Sequence, residues 1–223
     1  MGAPDTTPQT PSFAPSDRRI TWAIVSNFSK RNLTAAEHES RLPNDTHLRR
    51  SRLRVGVSSC LLGNPVRYDG GHKKSHALVH AFAAHAEFVS ICPEMEIGLK
   101  TPREPIHLVA AGSGVRLVGV ESGTDYTVRM ERYARDTAER LRVDGFIFMD
   151  RSPSCGLSAV PVIAPDGTAT ADGGGIFAAV IRRAHPELPV AGENELRTAV
   201  RAEAFLEHMR SYRKIRVHPL QHP

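Results

Sequence analysis

Apolar positions are scattered as far as residue 52 and follow recognisable periods from Leu53 onward. LRVGVSS sets Leu53, Val55 and Val57 at alternate positions and predicts a short buried strand that runs into Cys60. KSHALVHAFAAHAEF follows with Val79, Phe82, Ala83 and Ala86 on one helical side. FVSI predicts a second strand ending at Cys92-Pro93. IHLVAAGSGVRLVGV predicts a hairpin turning at Gly112-Ser113-Gly114. A helix is expected from about Asp125 to Arg142, with Met130, Ala134, Ala138 and Leu141 on its stripe. GFIFM then predicts a strand that delivers Asp150 and the loop RSPSCG. A polar hairpin around Pro165-Asp166-Gly167, a helix over about Gly175 to Ala184, a short strand LPV and a final helix over about Asn194 to Lys214 complete the pattern.

Strands alternating with helices predict an α/β fold: a mostly parallel, Rossmann-like sheet with helices on both faces, plus an N-terminal extension and a C-terminal helix. At 223 residues the chain has room for one ordinary domain with extensions. The expected divisions are 1–52, an extension; 53–192, the α/β domain; and 193–223, the C-terminal helix and tail. MGAPDTTPQTPSFAPSD is too rich in Pro, Thr and Ser to build a packed element, and ITWAIVSNF is the extension's one apolar run. Matches to a myristoylation pattern at Gly2 and to glycosylation sequons at Asn27, Asn32 and Asn44 are short enough to arise by chance and are not assigned.

No run approaches the roughly 18 apolar residues of a membrane span, and no basic start precedes an apolar segment. A cytoplasmic location with no membrane partner is the expectation. The net charge of +5 is uneven: residues 1–54 hold nine Lys/Arg against five Asp/Glu, and the rest of the chain is nearly neutral. The basic run RRSRLR and the later RKIR leave nucleic acid as a partner to weigh, but a neutral body with 6% aromatics argues against it as the main activity.

Three cysteines are an odd number for a disulfide framework, which turns attention to metal or nucleophile chemistry. Cys60, Cys92 and Cys155 each lie just past the carboxyl end of a predicted strand. In open α/β sheets that edge is where ligands bind, so thiols 32 and 63 positions apart can meet at one point. Cys60 opens a loop in which Arg67, Tyr68, Asp69, Gly70, Gly71 and His72 form a dense polar cluster. Cys92 is followed at once by Pro93 and Glu94, and Arg103 and Glu104 lie between Pro102 and Pro105. Cys155 sits in RSPSCG, where Ser152 and Ser154 can hydrogen-bond a thiolate or a bound anion. None of the loops holds a CxxC pair, so spacing alone does not specify a metal.

The segments VSSCLLGNPVRYDGGHK, CPEMEIGLKTPREP and RSPSCGL, in this order, resemble the thiouracil desulfurase family over roughly Arg54 to Val190. Many relatives carry a further cysteine before RYDG, where this chain has Val66. The resemblance implies a [4Fe–4S] cluster on Cys60, Cys92 and Cys155, with one iron lacking a protein ligand. It also implies dependence on the iron–sulfur assembly machinery and a small thiolated pyrimidine as substrate. The reaction implied is non-redox, hydrolytic removal of sulfur, in which the open iron serves as a soft Lewis acid. Glu94 is then the expected base for the attacking water, Ser152 a hydrogen-bond relay, and Ser154 an orienting group. Asp69, His72 and Arg103 are candidates for substrate contact or loop bracing.

Three other readings stand beside this one. Zinc could sit on the same cysteines with His72 as fourth ligand. One cysteine could act as a nucleophile with His72 or His107 as its base. The basic segments could serve a nucleic-acid-binding module. Gly173-Gly174-Gly175 lacks the lysine of a P-loop and reads as a helix-entry turn.

Overall fold

A computed structural model describes residues 52–217 apart from Ser113. The extension read at 1–52, with ITWAIVSNF and the first half of RRSRLR, lies outside the described residues except for Arg52. The described residues all belong to one compact unit.

Among the described residues eight strands and five helices follow one another. They are β1 Leu53–Ser58, α1 His76–Ala83, β2 Ala86–Ile91, α2 Pro93–Glu96, β3 Ile106–Ala111, β4 Gly114–Gly119, α3 Thr127–Arg140, β5 Gly145–Phe148, β6 Val160–Ile163, β7 Ala169–Gly173, α4 Ile176–Ala184, β8 Val190–Gly192 and α5 Ala199–Val217. Short 3-10 turns at Ser59–Leu62 and Glu193–Leu196 follow β1 and β8.

The first sheet has the order β2-β1-β5-β8 and is parallel throughout, with Val55 opposite Gly145 and Phe148 opposite Gly192. A second, mixed sheet, β4-β3-β6-β7, is built from the two hairpins read in the sequence and joined by parallel pairing of β3 with β6. The hydropathy pattern implied one sheet; hairpin strands half-covered on one face separate into their own layer.

Two apolar cores flank the parallel sheet. On one side Phe146 and Phe148 stack at 4.1 Å and meet the edge of Phe177, with Met130, Ala134, Ala138 and Ile181 from α3 and α4 around them. On the other, Leu53, Val55, Val57 and Ile147 pack beneath Leu78, Phe82, Leu206 and Met209 from α1 and α5. Each fully buried side chain of this size stabilises the fold by roughly 1.5–3 kcal/mol over its exposed state. The first helix is shorter than expected and differs in phase: Leu78 and Phe82 are buried, Ala83 is exposed, and Ala86 already belongs to β2.

The basic C-terminal segment has a structural task. Arg216 pairs with the buried Asp144 at 2.9 Å and bonds the carbonyl of Val143, while Arg213 stands 3.9 Å from the same carboxylate. Asp144 also accepts the Arg54 N–H at 2.8 Å, which ties α5 to the start of β1. Among the described helices none is long and apolar enough to cross a membrane.

Candidate active site

β1, β2 and β5 are neighbours and run the same way, so the loops that follow them open at one edge of the sheet. Cys60 lies in the 3-10 turn after β1, Cys92 directly after β2, and Cys155 in the loop after β5. All three line one cavity of about 720 Å³, together with Glu94, Arg103 and Ser152.

Each cysteine is placed by local chemistry. Gly63, at φ 98°, closes the first turn in a backbone region open to glycine, and the carbonyl of Cys60 accepts the N–H of Lys73 at 2.9 Å. Cys92 is the N-cap of α2, whose first position is Pro93; a proline's fixed φ suits that place and costs no hydrogen bond. In the third loop the Ser152 hydroxyl accepts the N–H of Cys155 at 3.1 Å and of Ser154 at 3.3 Å, fixing the turn around the thiol.

The glycines before α4 complete that turn. The N–H groups of Gly175, Ile176 and Ala178 donate to carbonyls of Gly156, Pro153 and Ser154. A Cβ at Gly175 would collide with the backbone of Ser154. The glycine run is therefore a packing device that seats the Cys155 loop on the helix, and the N–H groups of Gly175, Ile176 and Ala178 are already engaged.

Glu94 is held from two sides. One oxygen pairs with Arg103, and the other accepts the Ser154 hydroxyl at 2.9 Å. Arg103 is almost wholly buried; it also bonds the carbonyl of Val66 at 3.0 Å, and its Nε has no hydrogen-bond partner among the described residues. The thiols sit in surroundings that resist ionisation. Burial, and then the nearby Cys92, push Cys60 up to about 11. Burial raises Cys92 as well, and Cys155 well above its ordinary value, although a hydrogen bond with Ser58 works against the latter shift. Desolvated thiols of this kind become good ligands once a bound cation supplies the missing compensation.

The cavity wall thus gathers Cys60, Cys92, Cys155, Glu94, Ser152 and Arg103. Ser154 stands behind it, fully buried, and acts through Glu94. Asp69 and His72 are not on the wall. Asp69 is exposed, accepts the Gly71 N–H at 2.9 Å and pairs with Arg67 at 3.5 Å; the Gly71 N–H is the main reason its carboxyl is held below the usual range. His72 is exposed and accepts the Lys74 N–H. His107 lies on β3, also off the wall. Among the described residues no three His, Cys, Asp or Glu side chains come together as the ligands of a single ion. His72 and His107 thus stand apart from the wall that carries the three thiols.

Sequence reasoning gave no site role to several features of the wall. They are the acids Asp150 and Glu193, the half-exposed Tyr68 beneath the Arg67 guanidinium, and a basic rim of Lys73, Lys74, Arg151 and Arg197. Tyr68 and Arg67 stand within the RYDG cluster, whose charge density marked the segment. Nothing local marked Glu193.

Thiols converging with a braced carboxylate at the carboxyl edge of a parallel sheet define an α/β enzyme with a thiol-lined pocket. Comparison with known proteins narrows the class. The chain belongs to the 2-thiouracil desulfurase family, whose model matches residues 55–193, and so to enzymes that act on carbon–sulfur bonds. It is 32% identical over 151 residues to an uncharacterized protein, YbbK, of Bacillus subtilis, spanning 63% of this chain and 95% of that one. Among solved structures it is similar to TudS (DUF523Vcz), described as a [4Fe-4S]-dependent thiouracil desulfidase. The identity is 31% and the TM-score 0.53, with 69% of this chain and 99% of that chain covered.

Proposed function

We propose that the chain removes sulfur from a thiouracil-type base or nucleotide by hydrolysis, without redox change, yielding the oxo form and hydrosulfide. The cofactor is a [4Fe–4S] cluster on Cys60, Cys92 and Cys155 with one iron free of protein ligand. The observation that carries this reading is the meeting of three thiols and Glu94 on one cavity wall.

The donor set fits the group. Three sulfurs match a cubane with one open iron, and each cysteine of a cubane binds a different iron, so the sulfurs stand farther apart than ligands of one ion. All three thiols lie on one cavity wall. The structural neighbour's description points the same way. When bound, the cluster supplies a soft Lewis acid for the thiocarbonyl sulfur.

The chain's own residues supply the rest. Glu94 takes a proton from the water that adds to the thiocarbonyl carbon. Its two oxygens are engaged by Arg103 and Ser154, and each keeps a lone pair for that water. Ser152 accepts two backbone N–H groups, which leaves its own O–H to donate toward the cavity as the relay. The basic rim of Arg67, Lys73, Lys74, Arg151 and Arg197 suits an anionic substituent and favours a nucleotide over the bare base. Asp69 and His72 are assigned to bracing the rim loop rather than to substrate. We take residues 53–192, together with the turn Glu193–Leu196 and Arg197 that complete the cavity wall, as the catalytic unit, loaded by the iron–sulfur assembly machinery in the cytoplasm. The free thiols of the three cysteines suit a reducing compartment.

The test is anaerobic reconstitution with iron and sulfide, a visible spectrum and incubation with 2-thiouracil and its nucleotide. About four irons per chain, release of hydrosulfide, and loss of both in Cys60→Ser, Cys92→Ser and Cys155→Ser are expected. A colourless zinc protein, or a loaded protein that releases no hydrosulfide from either compound, overturns the proposal.

A further inference from the structure

The cavity wall carries a second acidic pair that the mechanism above leaves without a task. Asp150 follows β5 and Glu193 follows β8, adjacent strands of the parallel sheet, so both residues emerge at the same edge as the cysteines. The backbone N–H of Asp150 donates to Oε2 of Glu193, and the N–H of Asn194 donates to Oδ2 of Asp150 at 2.9 Å. Gly192 makes room for this arrangement, because a Cβ there would fall on Oδ1 of Asp150. Two carboxylates held this close cannot both carry full charge at low cost. Burial, and then the negative charge of Asp150, push Glu193 up to about 7.

We propose that Asp150 and Glu193 hold one proton between them and that Glu193 is the second acid–base group of the desulfuration. The inference rests on the reaction proposed above and adds a residue to it. Glu94 lies against a guanidinium, which favours its role as base; Glu193 lies against another carboxylate, which favours the role of acid. As water adds, its oxygen bonds to the thiocarbonyl carbon, one water proton passes to Glu94, and the C=S π pair moves on to sulfur. Glu193 gives its proton to that sulfur. The C–S bond then breaks with its electron pair on hydrosulfide, and the adduct's hydroxyl proton returns to Glu193 as the ring carbonyl forms. One water is consumed and one hydrosulfide and one proton are released, the proton resting on Glu94. No electrons are exchanged.

The groups that face Glu193 are few. Asp150 approaches from the β5 loop, and the charge of Glu193 is felt at Cys60 in the turn after β1. On its own 3-10 turn Glu195 is engaged by the Gly192 N–H at 3.2 Å. Arg151 and Arg197 share the wall. A purely structural role is the competing account, since Asp150 also caps the turn that begins at Glu193. A pH profile separates the two.

The experiment follows kcat/KM for 2-thiouracil against pH with loaded wild type, Glu193→Gln and Asp150→Asn. Infrared spectra of the same loaded proteins read the protonated carboxyl directly. Wild-type activity is expected to fall as pH rises through about 7, and Glu193→Gln to lose that limb with kcat lower on the order of 10²-fold. Asp150→Asn removes the neighbouring negative charge and moves the limb to lower pH. A protonated-carboxyl band that titrates with the limb is expected in wild type and absent from Glu193→Gln. A Glu193→Gln enzyme that keeps the wild-type limb or the band overturns this inference alone. A loaded wild type that turns over no thiouracil overturns the desulfuration reading, and this inference with it.

Discussion

The hydroxyl of Ser154 donates to Oε1 of Glu94 at 2.9 Å, across 60 residues of chain. Ser154 precedes Cys155 and Glu94 follows Cys92 by two positions, so one hydrogen bond joins the loops of two cysteines. Arg103 grips the other oxygen of Glu94 and the carbonyl of Val66, which draws in the loop that begins at Cys60. The thiols are therefore positioned by a polar network centred on Glu94 as much as by the strands that deliver them.

Glu94→Gln preserves the shape of that centre and removes the base. Iron and sulfide content are expected to stay at wild-type values while hydrosulfide release falls on the order of 10²–10⁴. Ser154→Ala removes one hydrogen bond from a buried site and should cost about 1 kcal/mol of stability, with a smaller loss of rate. Single-turnover assays beside calorimetry separate the two. Equal rate losses in both variants would place the effect in the loops rather than in proton transfer.

How far the sequence anticipates this site depends on which interactions build it. Two of the three strand ends are legible because LRVGVSS and GFIFM belong to a buried parallel sheet, where hydropathy and secondary structure agree. The stripe on α3 is legible for the same reason: Met130, Ala134 and Ala138 are buried as the period requires. The first helix offers Leu78 and Val79 as rival inward positions, and its packing against α5, contributed by distant sequence, selects Leu78. Glu193 meets Asp150 only through the register of β5 with β8, which no local pattern encodes. Asp69 and His72 look like site residues in the string, yet the turn through Gly70, at φ 76°, carries them off the wall.

Gly175→Ala is expected to damage the Cys155 loop specifically. The added Cβ would meet the backbone carbonyl of Ser154, which cannot rotate aside as a side chain can. A cost of roughly 1–3 kcal/mol follows for such overpacking, together with a lower iron content after reconstitution. Thermal melts and iron analysis test this. A variant with wild-type melting and full iron would show that the loop can shift without losing its thiol.

Asp144 is the anchor of the C-terminal helix. It is 2% exposed and serves Arg216, Arg213 and the backbone N–H of Arg54. Asp144→Ala leaves those donors facing a cavity and should cost about 2–3 kcal/mol, read as a lower midpoint in urea. Because the carboxylate is buried, 1 M salt should weaken the anchor little in the wild type. Large salt sensitivity would mean that the pairing is a surface effect.

Glu193 also ties stability to pH, with a definite sign. Its folded value of about 7 lies above the ordinary 4.5, so the folded chain binds this proton more tightly than the unfolded chain does. The contribution is fully present below about 4.5 and is lost as pH rises through about 7. The residue is only partly buried, so solvent screening reduces the effect to the order of 1 kcal/mol. Between those two values wild type should lose stability relative to Glu193→Gln, which carries no titrating group at this position. Urea midpoints of the two proteins across that range provide the measurement. Parallel curves would mean that Glu193 titrates as it does in the unfolded chain, and that the close approach of Asp150 does not hold a proton.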